Sequence, residues 1–424
     1  MKTASTLTSS PAPKSRDGWL SRRVKQATLK QLEQIRHGEL ILRDQGIEYR
    51  FGQAVQDLPA VILDVRDSGF YFDIAFGGSV GAGEAYMRGD WQCSDLTALV
   101  RLLLINRDVV DGMDDRFSRI TAPINKLLHR LNRNTRSGSR KNIAAHYDLG
   151  NDLFRLMLDD SMMYSSAIYT HPDADLYQAS IAKLDRICRK LDLQPGDQVL
   201  EIGTGWGGFA IYAAQHYGCH VTTTTISRAQ YELARQRVDE FGLQDKVTLL
   251  LEDYRDLQGR FDKLVSIEMI EAIGQENLNL YFNSCSRLLK DNGLFLLQAI
   301  TIADQRYRQA LRDVDFIQKY IFPGGSLPCI SVMSEAVREH TDMRITHLED
   351  IGPHYAQTLR DWRQRFFEQL ADIRALGYNE QFIRMWEFYL CYCEGGFEER
   401  AIGTVQMLMN KPLNRRPAIL PTLE

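Results

Sequence analysis

No apolar run in the 424-residue sequence approaches the roughly 18 residues that a membrane-crossing helix needs. The richest stretch, residues 96–105, is short and interrupted by Arg101. A signal-peptide core is also missing, because residues 1–30 are rich in Ser, Pro, Lys and Arg. Cysteines are few, odd in number at seven, and scattered, with Cys391 and Cys393 as the one close pair. That excludes a disulfide framework and argues for buried reduced thiols and no metal. Neither sign of charge dominates: 51 basic residues face 55 acidic ones, which argues against a dedicated nucleic-acid binder. Internal repeats and low-complexity tracts are absent. These absences point to a cytoplasmic globular protein. At roughly 100–200 residues per domain, its length suggests two or three domains.

What is present divides the chain. Residues 1–30 read as a flexible N-terminal segment, and 31–115 as a small α/β domain. In the latter, Ile47–Phe51, Ala60–Val65 and Gly69–Phe76 look like strands, and Leu96, Leu99, Leu102 and Leu103 mark a helix face. Residues 116–141 hold eight basic residues and no acid, and read as an interdomain linker. Such a run is often just solvated. It also suits an anionic membrane surface, where each Lys or Arg is worth about 1 kcal/mol.

Residues 142–412 alternate helix and strand, and 413–424 form a tail. A helical stripe (Tyr177, Ile181, Leu184, Cys188, Leu191) ends at Pro195-Gly196. Strands are expected at 198–203, 220–224, 247–251, 263–267 and 294–300, with helices between them. Repeated βα units give a parallel sheet covered by helices on both faces. The segment Glu201-Ile202-Gly203-Thr204-Gly205-Trp206-Gly207-Gly208 falls at the first strand-to-helix turn, where glycines let the backbone approach a ligand. A nicotinamide site wants an acid at the end of the second strand. That end reads Thr224-Thr225-Ile226-Ser227, and the acid is Glu201 instead. This pattern resembles a class I S-adenosylmethionine methyltransferase: a Rossmann-like, seven-stranded, mostly parallel sheet with helical insertions.

The resemblance becomes specific in several ordered blocks. Ala145–Phe154 and Met163–Ala167, the glycine loop, Thr225–Gln230, Asp253–Asp256, Ser266–Glu271, Lys319–Gly325 and Ile351–Tyr355 are similar to the cyclopropane-fatty-acyl-phospholipid synthase and mycolic acid methyltransferase family. The resemblance covers about residues 140–412. It implies S-adenosylmethionine as methyl donor, held by Tyr164, Ser165, Glu201, Gly203, Gly205, Gly207, Thr225, Gln230, Asp253 and Tyr254. It implies as acceptor a cis double bond in a membrane phospholipid acyl chain, methylated through a carbocation to a cyclopropane. The enzyme would work peripherally on the inner membrane face. The N-terminal unit resembles the small lipid-binding-like domain of bacterial synthases, which implies help in docking or in forming a homodimer.

By the same resemblance Ser166, Glu271, Gln298, Ile300 and Tyr355 form a catalytic pocket for a bicarbonate base. Ser166 and Gln298 stand where Cys and often His are usual, and Ala272 replaces a frequent His. These departures leave the base, and so the product, open between a cyclopropane, a methylated olefin and a methyl branch. A methyltransferase acting on a soluble small molecule is the competing reading.

Overall fold

The computed structural model describes residues 19–109, 150–417 and 419. The basic 116–141 segment, His146, Asp148 and most of the last eight residues lie outside the described residues.

The smaller unit is a four-stranded sheet of order β2-β1-β3-β4, with β1 Gly38–Asp44, β2 Ile47–Gln53, β3 Val61–Val65 and β4 Trp91–Cys93. Helix Trp19–Leu32 precedes it, inside the stretch expected to be flexible. It buries Val24, Thr28, Gln31 and Leu32, and Lys25 pairs with Asp44 at 2.5 Å.

Residues 69–76, expected as a strand, instead open the helix Gly69–Arg88. The apolar run misleads because core and cavity take up opposite sides of this helix, so no polar face breaks the pattern. The helix runs on past residue 76 through a kink at Gly78 (φ 52°, ψ −134°). A Cβ at Gly81 would stand 1.9 Å from the carbonyl oxygen of Asp73, so the kink requires glycine there.

The larger sheet has the order β10-β11-β9-β8-β5-β6-β7. Its strands are β5 Gln198–Ile202, β6 His220–Thr224, β7 Val247–Leu250, β8 Phe261–Ile267, β9 Leu289–Ile302, β10 Arg344–Asp350 and β11 Ile402–Asn410. β5 to β9 are parallel, and β10 and β11 add antiparallel pairs beyond β9. The chain leaves β5 toward β6 and β7, then returns to its other side with β8 and β9. That reversal opens a crevice at the C-terminal end of β5, the position where open α/β sheets bind ligands.

Helix Leu176–Leu191 begins with a capping box between Asp175 and Gln178 and buries Leu184, Ile187, Cys188 and Leu191. Tyr177 is exposed. Near the C-terminus, helices Gly352–Glu368 and Glu380–Glu398 bury Tyr355, Trp362, Phe366, Trp386 and Tyr389, and Leu370 starts a separate short helix between them. The 380–398 helix packs against the 69–88 and 96–105 helices of the smaller unit. Across that junction Thr97 donates to Glu394, which is 2% exposed and also paired with Arg360 and Arg363 of its own unit. One hydrophobic cluster therefore runs through both units.

Gly208 begins helix Gly208–Tyr217 where a Cβ would meet Met163 Sδ at 2.5 Å and the Ser161 carbonyl oxygen at 2.6 Å. Met163 can shift, but the backbone oxygen cannot. We expect Gly208→Ala to lower the urea unfolding free energy by about 1–3 kcal/mol, the usual cost of overpacking.

Candidate active site

Three glycines of the loop after β5 have positive φ: Gly203 (104°), Gly205 (52°) and Gly207 (86°). The N–H groups of Gly203 and Thr204 both donate to Thr224 O at 3.1 Å, which ties the loop to the end of β6. A Cβ at Gly205 would meet no protein atom within 4 Å, and the residue faces a cavity. Gly207 does not line that cavity. It starts the following helix and packs against Ala234, so its part is structural.

The other residues expected around a donor do border the cavity: Tyr164, Ser165, Glu201, Thr225, Gln230, Asp253 and Tyr254. Thr225 Oγ1 donates to Gln230 Oε1 at 2.9 Å and accepts from the Ser227 N–H, fixing both side chains. Asp253 is held by Arg255, whose Nε lies 2.7 Å from Oδ1. The buried Tyr254 hydroxyl has no partner. An open glycine cradle, a hydroxyl awaiting a partner and fixed polar side chains fit a donor of the size and polarity of S-adenosylmethionine.

Glu201 is 2% exposed and accepts from Thr223 Oγ1 at 2.6 Å. Burial pushes its carboxyl up to about 8, against the opposing pull of Thr223 and Lys183. A raised carboxyl binds its proton more tightly in the folded state than in the unfolded one. Its stabilising contribution is thus complete below the ordinary value of 4.5 and drains away as pH rises toward about 8. Glu201→Gln should flatten that part of the Tm–pH curve of the protein without donor.

Sequence reasoning passed over Lys183. Its helix places it on the apolar face beside Ala179 and Leu184, which was the available signal. It is fully buried and its Nζ donates to Ser165 Oγ at 2.9 Å. Burial pulls it down to about 8 despite the charges of Glu268, Asp159 and Glu201.

The pocket expected to hold a bicarbonate is assembled, but around a different anion. Glu268, a non-glycine residue at φ 50°, turns its carboxylate into the middle of it. Glu268 Oε1 accepts the Ser166 N–H at 2.9 Å and Gln298 Nε2 at 2.8 Å, and Oε2 accepts the Tyr355 hydroxyl at 2.7 Å. Gln298 is oriented in turn by Gln406, whose Nε2 donates to its Oε1 at 2.9 Å, and Gln406 by Lys190 at 2.8 Å. Ser166 and Gln298 are fully buried and stand behind the cavity wall. The Ser166 hydroxyl turns away to the Ala167 carbonyl, leaving its backbone N–H as the working donor. A bicarbonate does not fit. Its donors are spent, and it would have to stand against a carboxylate.

Glu271 borders the cavity together with Glu268, Ile300 and Tyr355. Its Oε1 accepts the Ile300 N–H at 2.5 Å, and its buried Oε2 has no partner. Burial, with the neighbouring Glu268 charge, pushes it up to about 8. Burial raises Glu268 as well, but three hydrogen bonds and Lys183 oppose the rise. Two adjacent carboxyls do not both ionise cheaply. The one with three donors keeps the charge, and Glu271 keeps the proton.

Of the two aromatic residues in the Lys319–Gly325 block, Phe322 borders the cavity. Tyr320 does not; its hydroxyl donates to Glu84 at 2.6 Å. Trp206 borders the cavity too, packing on Phe154 and donating to Asn151 at 2.9 Å.

The cavity encloses about 1520 Å³. It begins at the glycine loop, passes Glu268 and Glu271, and continues to Phe72, Val80 and Leu99 of the smaller unit. Its walls are mainly apolar. Among the described residues no group of three or more His, Cys, Asp or Glu could hold a metal ion, and no helix is long and apolar enough to cross a membrane.

Comparison with known proteins agrees with this geometry. Residues 134–407 match the family model described as mycolic acid cyclopropane synthetase. The chain is 40% identical to the tuberculostearic acid methyltransferase UfaA1 of Mycobacterium tuberculosis, over 78% of each protein. It is 37% identical to the cyclopropane-fatty-acyl-phospholipid synthase of Escherichia coli, over 85% of this chain and 91% of that one. Among solved structures, the mycolic acid cyclopropane synthase CmaA1 complexed with SAH and CTAB superposes with a TM-score of 0.60 at 31% identity. That match covers 64% of this chain and 98% of the other.

Proposed function

The chain belongs to the mycolic acid cyclopropane synthetase family of S-adenosylmethionine-dependent enzymes, and we propose that it methylates a cis double bond in the acyl chain of a membrane phospholipid. The carrying observation is the apolar cavity, which joins the glycine loop to the smaller unit without a break. A soluble small molecule has no use for a slot of that length and character.

The bound donor supplies an electrophilic methyl group. The chain's own part is to hold the alkene in line with it, since an alkene is a weak nucleophile and orientation lowers the barrier. As the π electrons form the new C–C bond, positive charge develops on the acyl chain. To the Phe322 ring and the ionised Glu268, both on the cavity wall, we assign the part of favouring the cationic transition state over the neutral alkene. Apolar walls exclude water that would otherwise capture the cation.

Loss of a proton from the added methyl gives a cyclopropane; loss from a neighbouring carbon gives a methylated olefin. The second outcome gains weight from the pocket, in which a fixed side chain fills the place of a diffusible anion, and from the similarity to a tuberculostearic acid methyltransferase. Expression in a host rich in cis-monounsaturated phospholipid, followed by mass spectrometry of the acyl chains, tests the proposal. A gain of one methylene is expected, and fragmentation separates ring from olefin. Unchanged acyl chains in a host that makes the folded enzyme would refute it. The same host, fractionated, shows whether the enzyme collects at the anionic membrane surface as the basic segment suggests.

A further inference from the structure

We propose that Glu268 is the resident base of the reaction, doing with a side chain what an external anion would otherwise do. The inference rests on the lipid-methylation reading above and names the group that removes the proton. Three observations carry it. The Ser166 N–H, Gln298 Nε2 and the Tyr355 hydroxyl come from separate parts of the chain, yet all converge on one carboxylate. That carboxylate borders the cavity, whereas Ser166 and Gln298 stand behind it. The residue also holds φ at 50°, a region that costs a non-glycine residue energy and persists where the surroundings enforce it. A carboxylate needed only for packing would not require a strained backbone to reach the cavity wall.

The chemistry balances with no other reactant. The alkene π pair forms the bond to the incoming methyl, and the carbon–sulfur pair leaves with the sulfur of S-adenosylhomocysteine. The acyl carbocation then gives a proton to Glu268. The released C–H pair closes either the third ring bond or a new double bond. Protonated Glu268 passes its proton to water when product leaves. Tyr355 and Gln298 are positioning residues that aim the carboxylate. Glu271, neutral beside it, adds no second negative charge.

Two variants separate base from scaffold. Glu268→Gln keeps the shape and removes the basicity. Glu268→Gly suits the left-handed backbone and empties the space, leaving three donors without an acceptor. The full-length enzyme is assayed on vesicles of dioleoyl phosphatidylglycerol and phosphatidylethanolamine, with labelled donor, in buffer freed of carbon dioxide. The wild type should work equally well with and without millimolar bicarbonate. Glu268→Gln should lose at least about 100-fold in turnover, within the range of a missing general base. Glu268→Gly should lose as much and regain at least about tenfold with added formate or bicarbonate, which enter the vacated cradle. A wild type that stops without bicarbonate and recovers with it would overturn the proposal, as would a Glu268→Gln variant of near-normal turnover.

A second readout needs no turnover. Titration with ¹³C-bicarbonate, followed by NMR, should show binding to Glu268→Gly and none to the wild type. Binding to the wild type at this pocket would count against a resident carboxylate. This arm still decides the occupancy of the pocket if no lipid is methylated, so a failure of the functional reading is told apart from a failure of this one.

Discussion

Gly205→Ala should leave the protein folded and weaken S-adenosylmethionine binding by at least about 100-fold, the equivalent of roughly 2.7 kcal/mol. The added methyl has no protein atom within 4 Å to clash with, so packing of the protein without donor is untouched. The φ of 52° costs alanine about 1–2 kcal/mol of backbone energy, a small fall in Tm. The same methyl projects into the space where a ligand would lie against the loop. Titration calorimetry measures the affinity, and Tm in the presence and absence of donor separates binding from folding. Gly207→Ala is the contrast, because Gly207 does not line the cavity and a Cβ there stands 3.4 Å from Ala234. It should lower Tm more than it lowers affinity. If Gly205→Ala bound donor normally, the donor would not lie on this loop.

The contrast between these two glycines shows what the sequence could and could not reveal. The parallel strands β5 to β9 were legible because each carries a run of apolar or β-branched residues near a turn. The loop was legible because four glycines follow the first of them within six residues. Which glycine faces the ligand was not, since that depends on how the 228–240 helix packs back against Gly207. The helix at 69–88 was misread because a segment placed between core and cavity carries no polar stripe. Strands β10 and β11 escaped because β10 is a half-exposed edge and β11 pairs with β9 across about a hundred residues of intervening chain.

The pocket failed for the same reason. Ser166, Gln298 and Tyr355 are expected around an outside anion, whereas in the structure all three donate to Glu268. Glu268 and Glu271 lie three positions apart, and nothing local says which carboxylate turns toward the three donors. The φ of 50° at Glu268 makes that choice, and it is invisible in the sequence.

The smaller unit is expected to matter for the same long-range reason, and Val80→Trp tests it. Val80 lies two residues beyond the kink at Gly78, half-buried on the cavity wall and in a different unit from the glycine loop. An indole there fills the far end of the slot without touching Glu268, Glu271 or the loop. Overfilling a packed space costs about 1–3 kcal/mol, and here the cost falls on the complex with a long acyl chain more than on the free enzyme. Turnover on oleoyl phospholipid should drop about 10- to 100-fold. Donor affinity should stay as it was, and a short-chain unsaturated acceptor that ends before Val80 should keep most of its rate. That split assigns the far end of the acyl chain to the smaller unit. Equal loss on long and short acceptors would show that the substitution acts by disturbing the junction with the 380–398 helix. Unchanged turnover on both would mean that the lipid tail leaves the cavity before the kink.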